Sequence, residues 1–166
     1  MADPERIPFD VDAYVAGVRT APCFVCRIAE ATEPQAERIV YRDDRHIAFL
    51  PNVHVLLGYV LVAPIDHREA VAGDFTTPEY LALQTVVQRV ATALPNVVPT
   101  ERIYVASLGS RQGNAHVHWH VAALPPNVPY EEQQFRALMA ETKGVLALSE
   151  SDRSELAAKL RAAIAG

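Results

Sequence analysis

His116-Val117-His118-Trp119-His120-Val121-Ala122 sets an imidazole at every second position of its first five residues, with an apolar side chain between each pair. A β-strand turns successive side chains to opposite faces. The alternation therefore predicts a strand over His116–Ala123 with three imidazoles on one face, roughly 6.5–7 Å apart. Val117, Trp119 and Val121 then point into the core, and the histidine face lines a cleft open to water. Two chemistries suit such a face. Three imidazoles bind a catalytic metal in tri-imidazole zinc sites, although the outer two of this strand stand far apart for one ion. Alternatively, one neutral imidazole is a nucleophile, and its attack on phosphorus gives a phosphoimidazole reactive enough to be hydrolysed.

The residues just upstream favour phosphorus. Ser107-Leu108-Gly109-Ser110-Arg111-Gln112-Gly113-Asn114 combines two glycines with a guanidinium and an amide donor. Glycine lets backbone amides approach phosphate oxygens closely, and arginine neutralises their charge. Ser110, Arg111, Gln112 and Gly113 are the candidate phosphate contacts. Far upstream, the two cysteines form Cys23-Phe24-Val25-Cys26, the spacing of a metal half-site or of a redox pair. Two thiolates need two further ligands to close a tetrahedral zinc site. The imidazoles near strand ends are His67, after Pro64-Ile65-Asp66, and His116.

Working outward, Ile39–Arg42 and His46–Leu50 read as strands joined at Asp43-Asp44, and Tyr59–Ala63 as a strand buried on both faces. Ile103–Ala106 is another. Residues 1–10 read as a loose arm and residues 29–38, with Pro34, as a loop. Asp10 or Asp12 caps a short helix through Val18, with Tyr14, Val15 and Val18 inward. Thr77-Pro78-Glu79 starts a helix, with Thr77 as the capping hydroxyl and Leu83, Val87, Val90 and Leu94 as its inner stripe; Pro95 ends it. Tyr130–Glu141 reads as a polar helix, and Ser149-Glu150-Ser151-Asp152 opens a terminal helix with Leu156, Leu160 and Ile164 inward. The order predicts an α+β domain with a meander-like antiparallel sheet.

At 166 residues the chain suits one such domain, and half of its residues are apolar, which excludes a wholly disordered chain. The net charge of −5 argues against a broad electrostatic grip on large nucleic acid or on an anionic membrane. The longest apolar run, Val55–Ala63, is nine residues and too short to span a bilayer. No apolar leader precedes the acidic N-terminal segment, so a cytoplasmic location is expected.

The pattern resembles the histidine triad (HIT) family, whose signature of three histidines alternating with apolar residues matches His116 to Ala122 throughout. Further matches are Phe49, Gly58, Val60-Leu61-Val62, Pro64-Ile65-Asp66-His67 and Gln112, which stands four residues before the first histidine. The resemblance covers roughly residues 20–125, between an arm and short helix over 1–19 and a helical extension over 126–166. It implies a HIT-like five-stranded antiparallel sheet with flanking helices, a homodimer, and attack on the α-phosphorus of a nucleotide by the middle histidine, here His118. His120 would contact phosphate oxygens and help protonate the leaving group. Zinc-containing members use a CxxC pair, the histidine of Pro-x-x-His and the first triad histidine, which correspond to Cys23, Cys26, His67 and His116. The ribose contact near Phe49 falls on Asn52.

Two positions depart from the family pattern. Gly113 stands where many members carry serine or threonine, and Tyr59 stands where the family has histidine after the strand-entry glycine. Without a hydroxyl at 113, the expected substrate is a nucleoside phosphate whose leaving group departs readily, with dinucleoside polyphosphates first. Phosphorolysis with nucleotidyl transfer, hydrolysis of adenosine phosphoramidates, and a non-catalytic zinc-stabilised nucleotide-binding module are the alternatives.

Overall fold

In the computed structural model, which describes residues 4–30 and 35–166, period-two alternation and helical stripes resolve into thirteen labelled elements. They are β1 (Arg6–Ile7), α1 (Val11–Thr20), α2 (Phe24–Ala29), β2 (Ile39–Arg42), β3 (His46–Phe49) and β4 (Gly58–Pro64). There follow α3 (Thr77–Ala93), β5 (Arg102–Ser107), β6 (Trp119–Leu124), α4 (Gln133–Leu138), α5 (Ala140–Lys143), β7 (Val145–Leu146) and α6 (Glu150–Ala165). Residues 1–3 of the expected arm and residues 31–34 of the expected 29–38 loop lie outside the described residues; of the rest, Arg6–Ile7 of the arm is a strand, Ala29 ends α2, and Gln35–Arg38 forms a 3-10 turn.

Strands β2 to β6 form one antiparallel sheet in the order β2-β3-β4-β6-β5, and β1 pairs with β7 in a separate two-stranded ribbon. The expected meander therefore holds only for β2-β3-β4. After α3 the chain enters the outer edge as β5 and returns inside as β6, between β4 and β5. Burial explains that placement: β6 is covered along most of its length, whereas Arg102 and Val105 of β5 are exposed.

Parity then divides the core in two. Val60, Val62, Trp119, Val121 and Ala123 face α3 and α6, whose Leu83, Val87, Val90, Leu156, Leu160 and Ile164 pack on them. Tyr59, Leu61, Ala63, Ala122 and Leu124 face the other way, onto Val25 and Ile28 of α2, Ala137 of α4 and Ala140 of α5. Phe75 and Tyr80 stand edge-on to Trp119, with ring centroids 6.2 and 6.0 Å away.

The helix starts follow from capping chemistry, with one shift. Thr76, not Thr77, caps α3, in a reciprocal box with Glu79, so Pro78 falls at the second helical position. Ser149 and Asp152 form the same box on α6, and Asp10 caps α1 by accepting from the Ala13 amide at 2.9 Å. The expected inward face of α1 is not buried: none of its residues is, and Tyr14 is 39% exposed. The expected polar helix over Tyr130–Glu141 is broken into a 3-10 turn, α4 and α5, because Met139 leaves helical backbone (φ −115°, ψ 90°). The fully buried residues there are the small Ala137 and Ala140, with Leu138 partly buried beside them, so no wide apolar stripe holds one long helix. Among the described residues no helix is long and apolar enough to cross a membrane.

Gly58, at the entry of β4, has no room for a side chain. A Cβ there would stand 2.7 Å from both the Ala123 Cβ and a Val98 methyl. Gly58→Ala is expected to destabilise the fold by about 1–3 kcal/mol through overpacking, read as a lower denaturation midpoint with unchanged slope.

Candidate active site and metal centre

The three imidazoles share the sheet face that packs on α2. His120 lies in β6, opposite Leu61 of β4 and Ala106 of β5. His116 and His118 precede the strand, which begins at Trp119 rather than at His116. The ladder stops there because the pairings of both neighbours end at Trp119: Val62 of β4 and Ser107 of β5 are its last partners. Other bonds steady the lead-in. The Val117 amide donates to the Arg68 carbonyl at 2.7 Å, and the Ser107 hydroxyl donates to the His118 carbonyl at 2.9 Å. The expected cleft open to water is instead covered. His116 and His118 are 1% and 3% exposed, and the Phe24 ring of α2 stands edge-on to His118 at 5.3 Å.

Cys23 and Cys26 lie one turn apart at the start of α2, which carries both thiols to the same side. The Cys23 Sγ is 3.4 Å from His116 Nδ1, and the Cys26 Sγ is 3.4 Å from His67 Nδ1 and 3.6 Å from His116 Nδ1. All four donor atoms lie within 4.8 Å of one another. A tetrahedral zinc, with bonds of ~2.3 Å to sulfur and ~2.0–2.1 Å to nitrogen, needs donor separations of roughly 3.3–3.8 Å. The remaining ring nitrogens are also arranged for it. His116 Nε2 is 3.0 Å from the Pro64 carbonyl, an acceptor, so it carries the proton and leaves Nδ1 free as a ligand. His67 Nε2 faces the Glu69 carboxylate at 3.3 Å in the same way. Burial and the neighbouring Cys23 thiol push the Cys26 thiol up to about 11, so a shared cation is what would hold the pair as thiolates. The donor set fits zinc.

The nucleophile candidate is held from the same residue. His118 Nδ1 is 2.7 Å from the His116 carbonyl, which only accepts, so the proton sits on Nδ1 and the Nε2 lone pair is free. Burial lowers the pKa of His118, which keeps the ring neutral near pH 7. His120 packs beside it with ring centroids 4.8 Å apart. Its Nδ1 is 2.7 Å from the Tyr59 hydroxyl, and its buried Nε2 makes no hydrogen bond of ordinary geometry among the described residues, with the Leu108 backbone near the ring. Burial, with His118 alongside, pushes His120 down to about 4.

The upstream loop folds into a small hairpin: the Ser110 and Gly113 amides donate to each other's carbonyls at 3.2 and 2.9 Å, with Arg111 and Gln112 exposed at the tip. The Gly113 amide is thus engaged within the loop. Gly113 has a second constraint, since a Cβ there would stand 2.9 Å from a Val18 methyl of α1. Asn114, with φ 55°, donates to the Tyr14 hydroxyl at 2.7 Å, so α1 rests on this loop rather than in the core. A cavity of about 150 Å³ opens between the loop and Glu69 and Val71, reaching Arg111 and His116. A larger one, of about 710 Å³, lies by Tyr41, Arg89 and Arg161 and includes no triad residue. Asn52 is exposed in the β3–β4 connection and makes no side-chain hydrogen bond among the described residues.

Sequence reasoning assigned no role to Tyr59, Glu69 or Phe24. The Gly58-Tyr59 departure was the one visible signal; Glu69 reaches the site through His67, two residues before it, and Phe24 through a contact with the distant His118.

No protein-family model matches the sequence, and no curated protein matches it. Solved structures do. A hypothetical histidine triad nucleotide-binding protein from Sulfolobus tokodaii is 21% identical, with a TM-score of 0.65 over 86% of this chain and 92% of that one. A zinc-bound histidine triad family protein from Mycobacterium smegmatis is 24% identical, with a TM-score of 0.63 over 90% of this chain and 96% of that one. A uridylyltransferase is 22% identical at a TM-score of 0.62, and 48% of its chain is covered. The likeness establishes the fold: an α+β domain with the five-stranded antiparallel sheet of histidine triad proteins.

Proposed function

We propose that this chain, which has the histidine triad fold and motif, hydrolyses nucleoside-phosphate-X compounds through a covalent nucleotidyl-histidine intermediate on His118. The observation that carries the reading is the 2.7 Å bond from His118 Nδ1 to the His116 carbonyl, which leaves Nε2 of a buried, neutral imidazole as the attacking atom. In the first step the Nε2 lone pair forms a bond to the α-phosphorus as the bond from phosphorus to the leaving oxygen breaks. In the second, water adds to phosphorus and gives up a proton to solvent, the P–N bond breaks, and His118 returns neutral. His120, through Nε2, faces the same phosphoryl group. Ser110, Arg111, Gln112 and Gly113 form the loop beside the phosphates, and Asn52 is the ribose contact.

Cys23, Cys26, His67 and His116 would hold a structural zinc, as the zinc-bound histidine triad protein of Mycobacterium smegmatis encourages. Bound there, the metal supplies a cross-link between segments about ninety residues apart in sequence. His116 belongs to both halves of the site: its ring joins the metal set, and its carbonyl fixes the nucleophile's tautomer. The exposed Val105 and Leu108 at the β5 edge offer a surface for pairing with a second copy.

Dinucleoside polyphosphates are the first-choice substrates. Gly113 brings no hydroxyl to a departing group, so an anion that leaves readily suits the site, and Arg111, exposed at the hairpin tip, is placed to meet further phosphates. Product analysis with and without inorganic phosphate tests this. A hydrolase gives nucleoside monophosphate in both cases, a phosphorylase gives nucleoside diphosphate when phosphate is present, and a binding module gives neither. Arg111→Ala is expected to lower kcat/KM for dinucleoside polyphosphates by about 1.5–3 kcal/mol in barrier terms. It should barely touch an adenosine phosphoramidate. Equal losses on both substrates would refute the polyphosphate assignment.

A further inference from the structure

We propose that Tyr59 is a positioning residue: its hydroxyl locks His120 in the tautomer that aims an Nε2–H at the phosphoryl group beside His118. The inference rests on the hydrolase reading for its catalytic consequence, but not for the tautomer itself.

Tyr59 is 4% exposed, and the only hydrogen-bond partner of its hydroxyl among the described residues is His120 Nδ1, at 2.7 Å. Burial raises its pKa, so the phenol keeps its proton. A buried O–H without an acceptor is costly, and the imidazole nitrogen is the acceptor within reach. Tyr59 therefore donates and Nδ1 accepts, which places the His120 proton on Nε2. The reverse arrangement would leave both the phenolic proton and the Nε2 lone pair unmatched.

That Nε2 is buried without a hydrogen-bond partner among the described residues. A phosphoryl oxygen is an acceptor of the kind it lacks, and His118, whose Nε2 is the attacking atom, packs against the same ring. The two imidazoles thus have opposite tautomers fixed by different neighbours. The His116 carbonyl makes His118 an Nε2 lone pair, and Tyr59 makes His120 an Nε2 donor.

Long-range proton–nitrogen NMR spectra of the histidines test the tautomer directly. The expected result is a His120 protonated on Nε2 in the wild-type protein, and a gain of the Nδ1-protonated form in Tyr59→Phe, which keeps the ring volume. Equal tautomer populations in the two proteins would overturn the proposal. Activity supplies the second arm. Tyr59→Phe should lower kcat by about 10²-fold with little change in KM, the scale of losing one donor aimed at transition-state charge. In a His120→Ala background it should cost almost nothing further, because Tyr59 acts only through that ring. A full loss in both backgrounds would overturn the proposal as well. Absence of any hydrolysis by the wild type would instead sink the hydrolase reading, with the NMR result still deciding the tautomer.

Discussion

His118→Gly is expected to abolish turnover, by roughly 10⁴-fold or more, while nucleotide binding stays close to wild type. The contrast follows from the geometry. On the proposed mechanism His118 supplies the attacking nitrogen, held by its bond to the His116 carbonyl, whereas the hairpin at 110–113 would bind phosphate without it. Truncation to glycine also removes the edge contact with Phe24, so a modest loss of stability accompanies the loss of activity. Binding measured by calorimetry on the folded variant separates the two effects. Activity within tenfold of wild type would remove His118 from the mechanism.

The metal centre gives the second large effect. Freshly purified reduced protein should hold about one zinc per chain. Cys23→Ser should lose it and fall in thermal midpoint by roughly 10 °C or more, as expected when a structural metal costing over about 4 kcal/mol is lost from a domain of this size. The chemical step of the still-folded fraction should change far less than it does in His118→Gly, because no metal ligand is the attacking group. Metal analysis and single-turnover kinetics on the same sample check both statements. Zinc-free protein with both thiols freely alkylated would contradict the assignment, and a chelator that stops catalysis at once without unfolding would point to a catalytic metal instead.

What was legible in the sequence was local. Alternation over Val117–Val121 fixed which side chains enter the core, because strand parity does not depend on distant partners. The capping boxes of α3 and α6 were nearly as readable, with Thr76 displacing Thr77 by one position. The four candidate metal ligands came from the family resemblance rather than from spacing alone, and the structure brings all four together. What was not legible depended on long-range register. The strand start at Trp119 follows from where the pairings with Val62 and Ser107 end, and the cover over His118 comes from Phe24, about ninety residues earlier. The α1 stripe of Tyr14 and Val18 looked like a core face because hydrophobic spacing does not say what it will meet. Here it meets Gly113 and Asn114. Tyr59 and His120 illustrate the same limit: each sits in a readable strand, yet only the β4–β6 pairing puts the hydroxyl on the imidazole.

The central claim is a covalent bond between His118 and a nucleotide's α-phosphorus, and the most direct measurement is the mass of the enzyme caught in mid-reaction. The protein would be mixed with a dinucleoside polyphosphate, quenched within a turnover under alkaline conditions that preserve a P–N bond, and digested for mass spectrometry. The account predicts one added nucleoside monophosphate on the peptide that contains the triad, localised to His118 and absent from His118→Gly. Steady turnover with an unmodified triad peptide, or the added mass on His116 or His120 instead, would contradict it.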